Sequence, residues 1–215
     1  MLEIMVAIFI FGIVVTTIFS SYRTVLISTE SVQQTITDYE AAKNCLNRMI
    51  LDMQSVYISP TSAYQRPDMN DPPDPYRVVG DTTDTGGAEL PRLRFTSLAH
   101  LTFGKSKRNG IAEIVYYIQA VKDDYFILRR SDKLYPYPPF EENGKDPVLC
   151  ENVKSLSFTY YDQENNEYEL WDSDSDEFKY ATPKAIGIKM EIGDITSPLL
   201  LKTMVTLPIY RKKIG

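Results

Sequence analysis

The sequence predicts an α+β protein in which one long N-terminal helix packs on an antiparallel β-sheet. Three observations predict it. An apolar run at the N-terminus passes without a proline into a one-sided helical stripe. A stretch rich in Pro, Asp, Gly and Thr then breaks the chain over residues 59–91. Strand-like segments fill the rest, with no helical pattern between them. Helix first and strands afterwards describe segregated layers rather than alternating β-α units.

The apolar run is unbroken over residues 4–15 (IMVAIFIFGIVV). Thr16 and Thr17 soften it, and Ile18 and Phe19 extend it. As a helix, residues 2–19 span roughly 27 Å, close to the hydrocarbon thickness of a bilayer. The next charge, Arg23, is placed for the interface. A cleavable secretory signal has a basic start and a small-residue cleavage site, and this segment has neither. A buried core helix is rarely apolar all round for so long in a chain of this size. The segment is therefore expected to be a membrane helix, with Ile4, Val6, Ile8, Phe11 and Val15 among its apolar contact residues. Glu3 is costly at the hydrocarbon edge unless it sits among headgroups or meets a cation on another chain.

Beyond Phe19 the helix becomes amphipathic. Val25, Val32, Ile36, Tyr39, Ala42, Leu46, Met49, Met53 and Val56 recur at helical steps, with Glu30, Gln33, Asp38, Lys43 and Asp52 on other faces. The spacing is too irregular for sustained heptads, which disfavours a coiled coil. With no Pro before Pro60, one helix is expected from near Leu2 to about Gln54.

Residues 59–91 hold six of the 13 prolines, including Pro72-Pro73-Asp74-Pro75, and the turn residues Thr85-Gly86-Gly87. They read as a long exposed loop. Strands are expected over 92–98, 111–121, 124–130, 153–161, 184–192 and 199–209. The second and third form a hairpin about Lys122-Asp123. The sheet buries one face, and the second half of the helix is its natural cover.

Little in the chain suggests catalysis. A net charge of −6 opposes nucleic-acid binding, which relies on Lys and Arg neutralising phosphates. His100, the single histidine, supplies neither a metal set nor a nucleophile–base pair. No phosphate-binding or dinucleotide-binding loop appears. Asp172-Ser173-Asp174-Ser175-Asp176-Glu177 imitates the start of a calcium loop, but Glu177 stands where the turn needs Gly and Pro183 where the closing Glu belongs. It reads as a solvated acidic loop. Glu141-Glu142 and Asp123-Asp124 lie in turn contexts. In the strand pairs Tyr116-Tyr117 and Tyr160-Tyr161 one tyrosine of each is expected to point outward as sheet surface. No catalytic residue, metal site or cofactor is assigned. Cys45 and Cys150 either remain buried thiols or form one bridge, whose loop of about 105 residues is worth roughly 4–5 kcal/mol in the chain-entropy model.

Two sets of residues resemble a known family. Met1-Leu2-Glu3-Ile4-Met5-Val6-Ala7 and the apolar run resemble the N-terminal segment of type IV pilins and pseudopilins. The mature chain in that family opens with Phe, three apolar or small residues and a Glu. That Glu attracts the N-terminal amine of a neighbouring subunit, and Glu3 matches it. Only two residues precede Glu3, so the resemblance implies further residues upstream, together with a leader and N-methylation. Further along, Arg48 and Asp52 resemble the "R-x-x-x-D-L" stretch of the J-type minor pseudopilin of type II secretion. Residues 114–117 followed by Leu128-Arg129-Arg130 resemble its "v-x-Y … L-x-R" hairpin. Val153, Leu156, Tyr160 and Asp162 resemble "V-x-x-L-x-x-x-Y-x-D", and Trp171 with Pro183-Lys184-Ala185-Ile186 resembles "W … L-P-x-A-V", Thr182 standing where that pattern has Leu.

The resemblance implies a pilin-like fold divided as follows: residues 1–22 the transmembrane or filament-core half of the helix, 23–56 its amphipathic half, 57–91 a Pro-rich loop and 92–215 the β domain. It also implies a structural subunit of the pseudopilus tip rather than an enzyme. Its partners would be I-type and K-type minor pseudopilins and the prepilin peptidase. It would be held in the inner membrane with its globular part in the periplasm. The alternative is a minor pilin of a type IV pilus, which shares the overall plan.

Overall fold

The computed structural model describes residues 2–68, 71–85, 88–101, 109–122, 125–193 and 198–214. Helix α1 runs Leu2–Gln54, as the periodicity predicts. Its end is marked by Ser55, whose amide reaches the carbonyls of both Leu51 and Asp52 (3.1 and 3.2 Å) before the chain extends. The chain divides into two compact units, Met1–Ala41 and Ala42–Gly215.

The first unit is helix throughout its described residues, and its apolar side chains are exposed. Thr16, Thr17, Thr24 and Thr29 do not disturb it. Each hydroxyl donates to a backbone carbonyl three or four residues earlier (2.6–3.0 Å). Their polarity is satisfied inside the helix, which makes them compatible with an apolar surrounding.

The second unit holds the last turns of α1 and a ten-stranded antiparallel sheet. Its strands are β1 (Val56–Tyr57), β2 (Val79–Thr85), β3 (Ala88–Ser97), β4 (Ala112–Lys122), β5 (Tyr125–Leu134), β6 (Val148–Tyr161), β7 (Glu167–Tyr168), β8 (Trp171–Asp172), β9 (Ala185–Ile192) and β10 (Leu199–Thr206). The spatial order is β10-β9-β6-β5-β4-β3-β2-β8, with β1 on β3 and β7 on β6. Ala42, Cys45, Met49 and Met53 of α1 join Leu93, Phe95, Ile114, Leu128, Val153, Phe158 and Ile188 in one core. Trp171 stacks on Phe178 with ring centres 4.2 Å apart and donates its indole N–H to the Ala181 carbonyl (3.1 Å).

Two details depart from the sequence reading. The stripe on α1 meets the core only from Ala42 onward; Val25, Val32, Ile36 and Tyr39 are exposed. Helical periodicity marks a face that suits burial without saying which surface covers it. The segment taken as a loop over 57–91 also contains β2 and the start of β3. Residues Val79-Gly80-Asp81-Thr82-Thr83 have no apolar alternation, so their pairing with β3 leaves no period-2 signature. Gly80 is required by close approach: a Cβ there would lie 1.9 Å from the Tyr160 hydroxyl oxygen. Thr85 is the last residue of β2, while Gly86-Gly87 and Asp123-Asp124 lie outside the described residues.

Candidate functional site

The residues singled out for the membrane helix all lie on α1 in the first unit. Ile4, Ile8, Phe11 and Val15, spaced by four, three and four, share one stripe; Val6 lies on another face. All five are exposed, at 64% for Ile4 and 68% for Phe11. Glu3 occupies the first turn and is exposed. The apolar stretch Leu2–Thr29 has mean hydropathy 2.5 with none of it buried, so it is long and apolar enough to cross a membrane.

In the second unit the structure gathers residues far apart in sequence into a buried charge clasp. Asp52, on the last turn of α1, has no exposed surface, and neither has Arg130 on β5. Arg130 donates from Nε to Asp52 Oδ2 at 2.7 Å and from Nη1 to Asp132 at 2.5 Å. The Tyr116 hydroxyl and the Arg48 guanidinium also donate to Asp52. Tyr116 and Arg130 are direct cross-strand partners in the β4–β5 register, so the hairpin presents both to the helix together. The Ala99 carbonyl accepts from Arg48 (2.5 Å) and Arg130 (3.2 Å). Ser97 donates to the Asp52 backbone carbonyl (2.8 Å). His100 is structural: its Nδ1 sits 2.5 Å from Asp132, whose other oxygen accepts the Leu101 amide.

Two guanidiniums thus face two carboxylates whose four oxygens each meet a donor, which is the condition under which charges are tolerated in a core; among the described residues, Arg48 Nε is the one buried nitrogen of the clasp without an acceptor. Burial alone would lower the Arg130 pKa; Asp52 and Asp132 reverse this and hold it above the ordinary arginine value. Burial, and then the Asp52 charge, push the Tyr116 hydroxyl well up, so it stays a donor.

A second clasp closes the proline-rich segment. Arg211, near the C-terminus, donates to Asp74 (3.0 Å) and to the carbonyls of Ser173 (2.8 Å) and Tyr180 (2.7 Å), with its guanidinium 3.6 Å above the Tyr64 ring. The acidic run at 172–177 belongs to this clasp. Asp174 accepts the Tyr64 hydroxyl (2.6 Å) and the Asp74 amide (3.0 Å), and Asp172 accepts the Asp174 amide (2.9 Å). Asp172 and Asp174 are therefore turn and tether groups, and among the described residues no three His, Cys, Asp or Glu side chains are grouped to hold a metal.

The tyrosine expectation is corrected at Tyr117. Its side chain faces away from the core but is buried beneath residues 140–146: Phe140 packs edge-on at 5.2 Å, and the hydroxyl lies 3.0 Å from both Asn143 O and Asp146. A covering loop, invisible to strand alternation, makes the outer face of β4 a second interior. Cys45 and Cys150 are both buried and are not joined in a disulfide, and the hydrogen bond that Cys45 shares with Cys150, then burial, raise the Cys45 thiol.

The sequence matches the type II secretion system (T2SS) protein J family over residues 20–198. The chain belongs to that family. No curated protein matches it. The matched stretch contains both clasps except Arg211, whereas Glu3 and the five membrane-helix residues precede it. In this member of the family, the pairs Arg48/Asp52 and Tyr116/Arg130 belong to one network. The Asp162 of the "Y-x-D" strand caps its own turn, accepting the amides of Glu164 (2.9 Å) and Asn166 (2.8 Å). The pseudopilin role in type II secretion follows from the family; the chemistry on display is packing and ion pairing.

Proposed function

We propose that this pseudopilin is a minor subunit of the pseudopilus tip that primes assembly for export of proteins across the outer membrane. The observation that supports it most is the pairing of a protein J domain with an exposed, 28-residue apolar helix that begins at Leu2. Before assembly the helix stands in the inner membrane as a single span, with the globular part in the periplasm, after the prepilin peptidase has acted on the precursor. On assembly it exchanges lipid for neighbouring apolar helices, and I-type and K-type minor pseudopilins complete the tip. Nothing is turned over; the free energy is apolar burial together with one ion pair, between Glu3 and a neighbour's amine.

The test is complex formation. Full-length protein in detergent is mixed with the I-type and K-type subunits encoded in the same genome and analysed by size-exclusion chromatography with light scattering. A one-to-one-to-one species is expected; three separate species at tens of micromolar contradict the tip assignment. Glu3→Ala is expected to insert in the membrane normally and to lose most incorporation into filaments, read by membrane fractionation and filament pull-down. Normal incorporation sinks the charge-pairing role.

A further inference from the structure

On the outer face of β2, β3 and β4 lies a groove of about 760 Å³, one wall of which belongs to the segment that the second clasp tethers through Asp74. Its walls are Pro72, Pro73 and Pro75 on one side and residues 135–140 on the other, and they carry six prolines. Proline holds φ and offers no N–H, so these walls are stiff and poor in donors. Tyr135 and Tyr137 pack edge to face at 5.5 Å on the rim, and Tyr135 is 71% exposed. A trough of stiff, aromatic and proline surfaces suits an extended chain better than a compact ligand, because such a chain presents its rings and methylenes to both walls.

The charges in the groove do not balance. Three guanidiniums line it against two carboxylates. Arg92 is held by Asp81 (2.8 and 2.5 Å), and Arg94 by Glu113. Arg77 has no ion pair among the described residues. A carboxylate is the acceptor that best satisfies a guanidinium fork, so Arg77 is where an acidic group would meet the groove. This positive excess lies on a chain whose net charge is −6, so it is a local feature and not a consequence of composition.

We propose that this groove binds an extended, proline-containing acidic segment of another polypeptide, with a Glu or Asp carboxylate on Arg77 and the chain lying along Tyr135 and Tyr137. The proposal does not depend on the tip assignment, since it concerns a face of the folded domain and a ligand chemistry.

The test uses the full-length protein in detergent micelles and two fluorescein-labelled peptides, Gly-Pro-Pro-Glu-Pro-Pro-Glu-Pro and its counterpart with both Glu replaced by Gln, read by fluorescence anisotropy. The acidic peptide is expected to bind on the order of 100 µM and about tenfold more tightly than the neutral one. Arg77→Gln should remove that preference. Tyr135→Ala, at an exposed position, should weaken both peptides alike. Because Arg77→Gln can perturb the fold, wild-type binding is also measured against salt: the preference should shrink as NaCl rises from about 20 to about 500 mM. Equal binding of the two peptides, a preference indifferent to salt or to Arg77→Gln in a variant of unchanged melting temperature, or no saturation by about 5 mM overturns the proposal. An Arg77-dependent dimer seen by light scattering, which the acidic peptide fails to displace, assigns the groove to a second copy and overturns it as well.

Discussion

The two ends of α1 treat water in opposite ways. Between Leu2 and Ile27 the helix exposes Ile8, Phe9, Phe11 and Phe19 at 66–71%. About three turns beyond Ala42 the same helix carries Asp52 with no exposure. Apolar side chains outside and charges inside are each unfavourable when a folded chain in water is the only state considered. The first pattern makes sense when another apolar medium covers the helix; the second when every charge is met. The core of the second unit meets this condition through Arg48, Tyr116 and Arg130. The lesson is that the Asp52 clasp is a fixed internal joint, while the stem is a surface whose proper surroundings lie outside the chain.

The joint can be broken at Asp52. Asp52→Ala strands the buried Arg130 and removes the acceptor of Tyr116 and Arg48, and is expected to cost about 3–5 kcal/mol. Urea denaturation followed by the single Trp171 measures this, and a loss under about 1 kcal/mol contradicts the clasp as a joint. Pairing Asp52→Leu with Arg130→Met sharpens the point. Removing both charges together should recover most of the loss, with a coupling of about 2 kcal/mol or more between the two sites.

The second clasp is expected to matter less, because Asp74 lies in a surface segment and Arg211 spends most of its donors on backbone carbonyls. Arg211→Ala should cost about 2–3 kcal/mol by urea melt and open residues 60–77 to limited proteolysis. Resistance of that segment in the variant would show that the prolines alone hold it.

A smaller effect is expected in acid. Burial would raise the Asp162 pKa, but Asn166, through side chain and amide, and then Glu164 and Lys213 lower it from 3.8 to about 2. A carboxylate depressed in the folded state contributes stability that is full above the unfolded value and is lost as pH falls through the folded one. The contribution is therefore present above about pH 4 and disappears toward pH 2. Asp162→Asn should lower stability at neutral pH and flatten the acid limb between those limits. An unchanged slope there assigns the limb to other carboxylates.

Legibility divides along the same line as the molecule. The stem, the helix limits and the strands of β4, β6 and β9 were readable because period and apolar content act locally. The clasp was half readable: Arg48/Asp52 and the Tyr116/Arg130 hairpin stood out one by one, yet 64–78 residues separate Asp52 from its partners on the strands, and no periodicity encodes that meeting. β2 escaped because Thr and Asp fill both its faces. Tyr117 was misread because its cover comes from residues 140–146, whose own pattern is that of a turn. The run at 172–177 reads as a solvated loop because spacing alone cannot tell a carboxylate facing water from one, like Asp174, already bonded to Tyr64 and Asp74.

The least effect is expected on the stem, and it decides whether the comparison holds. Met49 and Ile8 are both large apolar residues of α1, one with no exposed surface and the other 66% exposed. Met49→Ala should cost about 2–5 kcal/mol, the lost transfer energy plus the cavity left behind. Ile8→Ala creates no cavity in the folded domain and should move the same urea midpoint by no more than about 0.5 kcal/mol. Its consequence should appear instead in assembly, where a neighbouring helix must pack on the stripe of Ile4, Ile8, Phe11 and Val15. A variant that melts like wild type and still loses incorporation separates the two jobs of one helix. A large drop in domain stability from Ile8→Ala would mean that the stem packs on the chain's own core, and the contrast between the two ends of α1 would dissolve.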